Sequence, residues 1–182
     1  MKNSEIQRIA LSTYFFLSGL CFASWASRIP TIKLFFKLND AQLGSILIVM
    51  PLAALVGTFA SGWLVSKFNT KGPLLVSFVF FAFALIGISL VRTTFLLIWM
   101  LALFSIAMRV LNIAMNAQSI ALQGQFEKKI IGALHGVWSF GGVVGVLFST
   151  LMVKNTVSIQ NHFIIISVIT LIGSMLAYKF SL

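Results

Sequence analysis

From Ile9 to Ser27 the chain carries no charged side chain, and an apolar run of that length crosses the hydrocarbon of a bilayer as one helix. Comparable runs recur at 43–65, 73–91, 94–118, 132–153 and 162–180. Hydrocarbon offers no water to bond a bare backbone, so each run is expected to be a helix whose amides bond within the segment. The breaks carry turn and charge signals: Arg28-Ile29-Pro30, Lys67 to Gly72, Arg92, Glu127-Lys128-Lys129 and Lys154-Asn155. Asn39 with Gln42 resembles a helix cap ahead of the second run. The expected fold is all-α: one polytopic membrane domain over residues 1–182, with six transmembrane helices and no soluble domain.

Composition excludes the soluble alternative. Charged residues make up 9% of the chain and hydrophobic ones 59%, where a soluble domain carries about 25% charged residues. The first run also has the outline of a secretory signal peptide, but its length favours a retained span. The net charge of +10 is built from basic residues set singly at the ends of apolar runs. That pattern fits lipid headgroups and not a nucleic acid. Cys21 is the one cysteine, so neither an internal disulfide nor a zinc spacing is available, and no cofactor or metal is expected.

Direction follows from the same basic residues. With the N-terminus inside, Lys2, Arg8, Lys67, Lys71, Lys128, Lys129 and Lys179 are cytoplasmic, and Arg28, Lys33, Lys37, Arg92 and Lys154 are external. Seven against five favours cytoplasmic N- and C-termini in an inner or plasma membrane.

Polar groups in hydrocarbon are costly, so their placement is informative. The first and fourth runs are the polar ones, the second and fifth are rich in Gly and Ser, and the third and sixth are nearly all apolar. That order occurs twice and predicts two three-helix repeats. At about 100° per residue, Ser105, Arg109, Asn112 and Asn116 fall on one stripe of the fourth run. His135, Trp138, Ser139, Gly142 and Ser149 do so on the fifth, and Tyr14, Ser18, Cys21 and Trp25 on the first. The three stripes are expected to line one cavity, with Asn112 and His135 close enough in depth to meet and Arg109 nearer the midplane.

Each of these residues also has a plainer reading. Ser105 and Asn116 serve equally well as bonds to a neighbouring helix, Ser18 and Cys21 as packing, His135 as a helix-start residue, and Trp25 as an interfacial belt residue. Arg109 is harder to explain away, because none of the acids Glu5, Asp40 and Glu127 lies inside a run to pair with it. Backbone carbonyls, a partner's carboxylate or an anionic solute must satisfy it. Gly132 with Gly136, and Gly141 with Gly145, are read as small-residue pairs for close helix packing. No carboxylate pair or oriented nucleophile stands in the runs, so an enzyme is not expected.

Four stretches together resemble the major facilitator superfamily, in its fucose-permease-related, sugar-permease-like branch. They are Phe22 to Pro30 at the end of the first helix, Asn39 to Gly44 at the start of the second, Ala114 to Gln118 on the fourth and His135 to Gly142 on the fifth. The loop from Gly62 to Lys71 is similar to the superfamily's gating loop, with Gly62, Lys67 and Lys71 in place. Ser66 stands there for the usual acid and Asn69 for the usual glycine; Asn tolerates left-handed backbone angles.

The resemblance implies twelve helices in two halves with the solute between them, of which this chain covers the N-terminal half. Asn112 stands where the branch generally carries an acid, and an amide cannot exchange a proton, so proton coupling is not supported by this half. The expected function is transport of a small polar solute, sugar-like or a small anion, by alternating access. Trp25, Arg109, Asn112, Asn116, His135, Trp138 and Ser139 are the solute-facing candidates. A second six-helix half, separate or a copy of this one, would complete the path. The alternative is a truncated remnant that inserts without transporting.

Overall fold

The structure is a computed structural model describing residues 3–181, so that Lys2, counted above among the cytoplasmic charges, lies outside the described residues along with Met1 and Leu182. The helices are α1 (Asn3–Ala26), α2 (Ile29–Phe35), α3 (Asp40–Leu47), α4 (Val49–Phe68), α5 (Lys71–Leu90), α6 (Thr94–Gln123), α7 (Ile131–Lys154) and α8 (Ile159–Tyr178). They make six crossings long and apolar enough for a membrane: Asn3–Phe35, Asp40–Phe68, Lys71–Leu90, Thr94–Gln123, Ile131–Lys154 and Ile159–Tyr178. The first two crossings are each interrupted once. Pro30 opens α2 after a turn at Ser27-Arg28, where its missing N–H removes nothing a helix start would use. Pro51 withholds an amide from the turn behind it, which accounts for the break at Ile48 between α3 and α4.

The helix starts are chemically marked. The Asn39 side chain accepts from the Gln42 amide at 2.8 Å while the Gln42 side chain accepts from the Asn39 amide at 3.0 Å, a reciprocal cap. Thr93 Oγ1 accepts from the Leu96 amide and Ser158 Oγ from the Asn161 amide in the same manner.

The helices form two layers. Behind lie α5 and α8, packed on each other; in front, α7, α1, α6 and α4 run side by side in that order. Phe78 and Phe81 of α5, Phe104 of α6, Phe163 of α8 and Tyr14 of α1 fill the space between the layers, all fully buried. The Phe81 and Phe104 rings meet at a tilt with centroids 4.4 Å apart. The outer surfaces of α5 and α8 carry Val79, Phe83, Val168, Ile169 and Ile172, exposed apolar residues suited to lipid.

The pairing of helices follows the repeat read from composition. Exchanging the first three crossings with the last three maps α1 against α7 onto α6 against α4, and α1 against α8 onto α6 against α5. Each repeat's middle crossing thus packs on the other repeat's first crossing. The two middle crossings bury only narrow stripes: Ala53, Gly57 and Ser61 on α4, and Leu134, Gly141, Gly145 and Ser149 on α7.

Glycine decides both of those contacts. A Cβ on Gly141 would lie 2.2 Å from the Phe16 carbonyl oxygen, and one on Gly19 2.1 Å from that of Trp138. On the other flank, a Cβ on Gly57 would lie 2.9 Å from the Arg109 Cβ. Gly141 and Gly145 therefore act as the packing pair expected of them. Gly132 and Gly136 do not: both are exposed, and a Cβ at either would meet nothing within 4 Å.

Candidate functional site

The front layer is concave, and its polarity comes mainly from α6. Ser105, Arg109 and Asn112 face an open cavity of about 250 Å³ that is walled by Phe22 of α1, Met50, Pro51 and Ala54 of α4, and Met108. Phe22 also borders a second cavity of about 640 Å³ against α7, lined by Trp138, Gly142 and Val143. The Phe22 and Trp138 rings stack with centroids 6.3 Å apart. Phe22 is thus the ridge between the α6 stripe and the α7 stripe, and the two open on one side of the molecule.

The bonds within the first cavity fix its shape. Ser105 donates to the Met50 carbonyl at 2.6 Å, which ties α6 to α4 beside the proline. Arg109 Nε donates to Thr58 Oγ1 at 2.9 Å, and the same hydroxyl donates to the Ala54 carbonyl at 2.9 Å. Thr58 thereby sets the plane of the guanidinium from across the helix interface. Asn116 donates to the Asn112 carbonyl at 2.9 Å, one turn up its own helix. The Asn112 carboxamide bonds to no other group among the described residues and is open to the cavity.

The α7 candidates spread along the helix. Trp138 is half-buried on the second cavity, and Ser139 is exposed one residue on. His135 is exposed, edge-on to Phe15 with ring centroids 5.3 Å apart, and it borders neither cavity. The expected meeting of His135 with Asn112 is therefore not seen; α6 and α7 barely touch, because α1 runs between them. Ser149 turns away from the others to face α8.

The stripe expected on α1 points inward. Tyr14, Ser18, Cys21 and Trp25 are all buried against the rear layer or α6. Tyr14 stacks on Phe78 with centroids 5.4 Å apart, and Trp25 lies against Phe104 at 5.3 Å. The Trp25 Nε1 finds no acceptor among the described residues. The side chain that α1 does present to the cavity is Phe22, which the polar stripe hid.

The loop from Gly62 to Lys71, expected to gate, turns at Asn69 with Ser66 in the place of the usual acid. Asn69 takes φ 56° and ψ −165°, a backbone region that glycine enters freely and other residues rarely. Ser66 donates to the Trp63 carbonyl of its own helix at 2.9 Å and to no group across the loop among the described residues. The Lys67 ammonium lies over the Trp63 ring at 4.9 Å from its centroid. Lys71 sits 4.9 Å over the Tyr178 ring and donates to the Ser181 carbonyl at 3.2 Å, which pins the loop to the end of α8. Gln118 of α6 donates to Thr70 Oγ1 at 3.2 Å. Gly62 is exposed at the end of α4.

A buried polar cluster that the sequence did not reveal closes the opposite end. Arg28 Nε donates to His162 Nδ1 at 3.0 Å and Arg28 Nη2 to the Val157 carbonyl at 2.9 Å. His162 is fully buried and Arg28 is 4% exposed. Since Nδ1 accepts, the ring is neutral with its hydrogen on Nε2, facing Ser149 Oγ at 3.5 Å. Ser149 in turn donates to the Gly145 carbonyl at 2.7 Å. The cluster ties α1 to α7 and α8.

Among the described residues no group of His, Cys, Asp or Glu is placed to hold a metal. An apolar groove of about 490 Å³ between α4, α5 and α6 has Ser77 as its one polar side chain and opens toward lipid, so it offers little for recognising a polar solute.

Comparison with known proteins agrees with this architecture. The sequence matches the Major Facilitator Superfamily over residues 11–181. It is 28% identical over 139 residues to an uncharacterised MFS-type transporter of Yersinia pestis, covering 76% of this chain and 36% of that protein. It is 30% identical over 138 residues to the membrane protein MosC of Rhizobium meliloti, covering 76% of this chain and 34% of that one. An uncharacterised transporter of Sinorhizobium fredii is 24% identical over 154 residues, covering 85% of this chain and 41% of that one. The chain thus spans between about a third and two fifths of the length of the curated relatives it matches. Six apolar crossings in two interlocked repeats, with the family match running from the first helix to the end of α8, place this chain in the Major Facilitator Superfamily.

Proposed function

We propose that the chain is the N-terminal half of a transporter of the fucose-permease-related branch, moving a small polar solute across a cell membrane by alternating access. The observation that carries this reading is the open face in front of α1 and α6. Arg109 and Asn112 stand there on the middle turns of α6, a helix long and apolar enough to cross a membrane, and Phe22 separates them from Trp138. A polar side chain held at that depth has a functional role by default, since water or solute must meet it. Arg109, Asn112 and Trp138 are the solute contacts; Ser139, His135 and Asn116 border neither cavity and are left out of that set, and Trp25 backs Phe22 from behind. Both termini are cytoplasmic.

A second six-helix half closes the face, and the flanks α4 and α7 are where it docks. Their front surfaces keep Leu55, Phe59, Val143 and Val146 exposed. For self-association a two-fold axis sets α4 of one copy on α7 of the other. A Leu55→Cys, Val143→Cys chain is then expected to form a covalent dimer on oxidation in the membrane, and a Phe83→Cys chain, altered on the outer surface of α5, is not. Monomer from both would assign the second half to a different chain. Equal dimer from both would contradict the docking face. The remnant reading keeps one observation in its favour: Ser66 leaves Lys67 without a carboxylate across the loop.

A further inference from the structure

We infer that the solute is a small organic anion, a carboxylate bearing hydroxyl groups, with Arg109 as its charge partner; this rests on the reading of the open face as the solute site.

Arg109 is near the middle of the thirty-residue α6, and its Nε is taken by Thr58. The two Nη groups bond to nothing among the described residues. With Nε held, what remains free is the planar pair of Nη donors, the edge that grips a carboxylate through two parallel bonds. The chain's own acids are committed or remote. Glu5 pairs with Arg8 at 3.0 Å, Asp40 pairs with Lys33, and Glu127 lies in the connection between α6 and α7. A guanidinium at this depth needs a counter-charge, and these residues do not supply one.

The rest of the cavity describes the remainder of the solute. Asn112, on the next turn of α6, offers both a donor and an acceptor to hydroxyl groups. Phe22, Met50 and Met108 form an apolar wall for a carbon skeleton, and about 250 Å³ is room for one small molecule. A neutral sugar would use Asn112 and the aromatic wall but leave the guanidinium uncompensated. With every acid of this chain committed or remote, charge selects the acid over the sugar on this wall of the cavity.

The test uses the full chain in lipid nanodiscs, with galacturonate and gluconate as anionic probes, galactose as the neutral one, and sodium chloride at matched ionic strength. Saturating galacturonate or gluconate is expected to raise the unfolding midpoint by about 2–4 °C, with no response to galactose or chloride. Arg109→Gln abolishes the response. Arg109→Lys, which keeps the charge but loses the paired donors, needs about tenfold more probe. A galactose response that survives Arg109→Gln and disappears in Asn112→Ala would overturn the anion and leave the solute face standing. No response to any probe, or a response indifferent to both substitutions, would overturn the inference and the solute face together.

Discussion

Gly141→Val is expected to leave no folded six-helix unit in the membrane, whereas Gly142→Val leaves it intact. The two glycines are neighbours on α7 and differ in what stands opposite. A Cβ on Gly141 falls 2.2 Å from the Phe16 carbonyl oxygen, 3.0 Å from its carbon and 3.1 Å from its Cα. These are backbone atoms of α1 and cannot rotate aside. The helices must separate along their whole contact, which includes Gly19 against Trp138 and Gly145 against Leu20. Overpacking of a core by one or two carbons costs about 1–3 kcal/mol where side chains yield. Here the backbone has no such freedom, and helix association in lipid depends on close van der Waals contact. A Cβ on Gly142 meets nothing within 4 Å. Size-exclusion profiles of the two variants in mild detergent check this: a monodisperse peak for Gly142→Val and aggregate for Gly141→Val.

His162→Leu is expected to destabilise the chain by about 3 kcal/mol and Arg28→Leu by less, although the second removes a charge and the first does not. The order follows from what each deletion strands. Without His162, Arg28 keeps the Val157 carbonyl but loses its acceptor at Nε, and at 4% exposure little water replaces it. Without Arg28, the Val157 carbonyl lies in a partly exposed connection where water can reach it, so the one group stranded is a neutral imidazole nitrogen, about 1–3 kcal/mol at most. The double substitution Arg28→Leu, His162→Leu should be more stable than His162→Leu alone, since it removes the stranded cation. Thermal unfolding of the three variants gives the interaction directly. Additive losses would show that the two side chains do not act as a pair.

The six crossings were legible because hydrocarbon imposes a length and an absence of charge that a sequence shows directly. The cap at Asn39 was legible because both of its partners lie within four residues. The α6 stripe was legible because Arg109 is charged inside an apolar run. The α1 stripe misled for a physical reason. That helix is flanked by α7 and α6 and backed by α8, and it buries residues on most of its surface, so periodicity marks a face without saying which way it turns. Ser18 illustrates the difficulty, since it donates to the Phe15 carbonyl of its own helix at 3.0 Å and needs no cavity. The Arg28–His162 bond joins residues 134 positions apart, and neither carries a local mark of the other. The same holds for Thr58, whose back-bond to Ala54 gives no sign that it also orients Arg109.

The central claim is that the face in front of α1 and α6 is filled by water and opens to each side of the membrane in turn. It is tested most directly by placing a cysteine at Asn112 and adding a membrane-impermeant thiol reagent to right-side-out and to inverted vesicles. Cys21 is fully buried and stays silent. The account predicts that Asn112→Cys is modified from both sides, while Phe83→Cys, on the lipid-facing surface of α5, is modified from neither. If Asn112→Cys proves as unreactive as Phe83→Cys, that face lies in lipid and the chain holds no solute path.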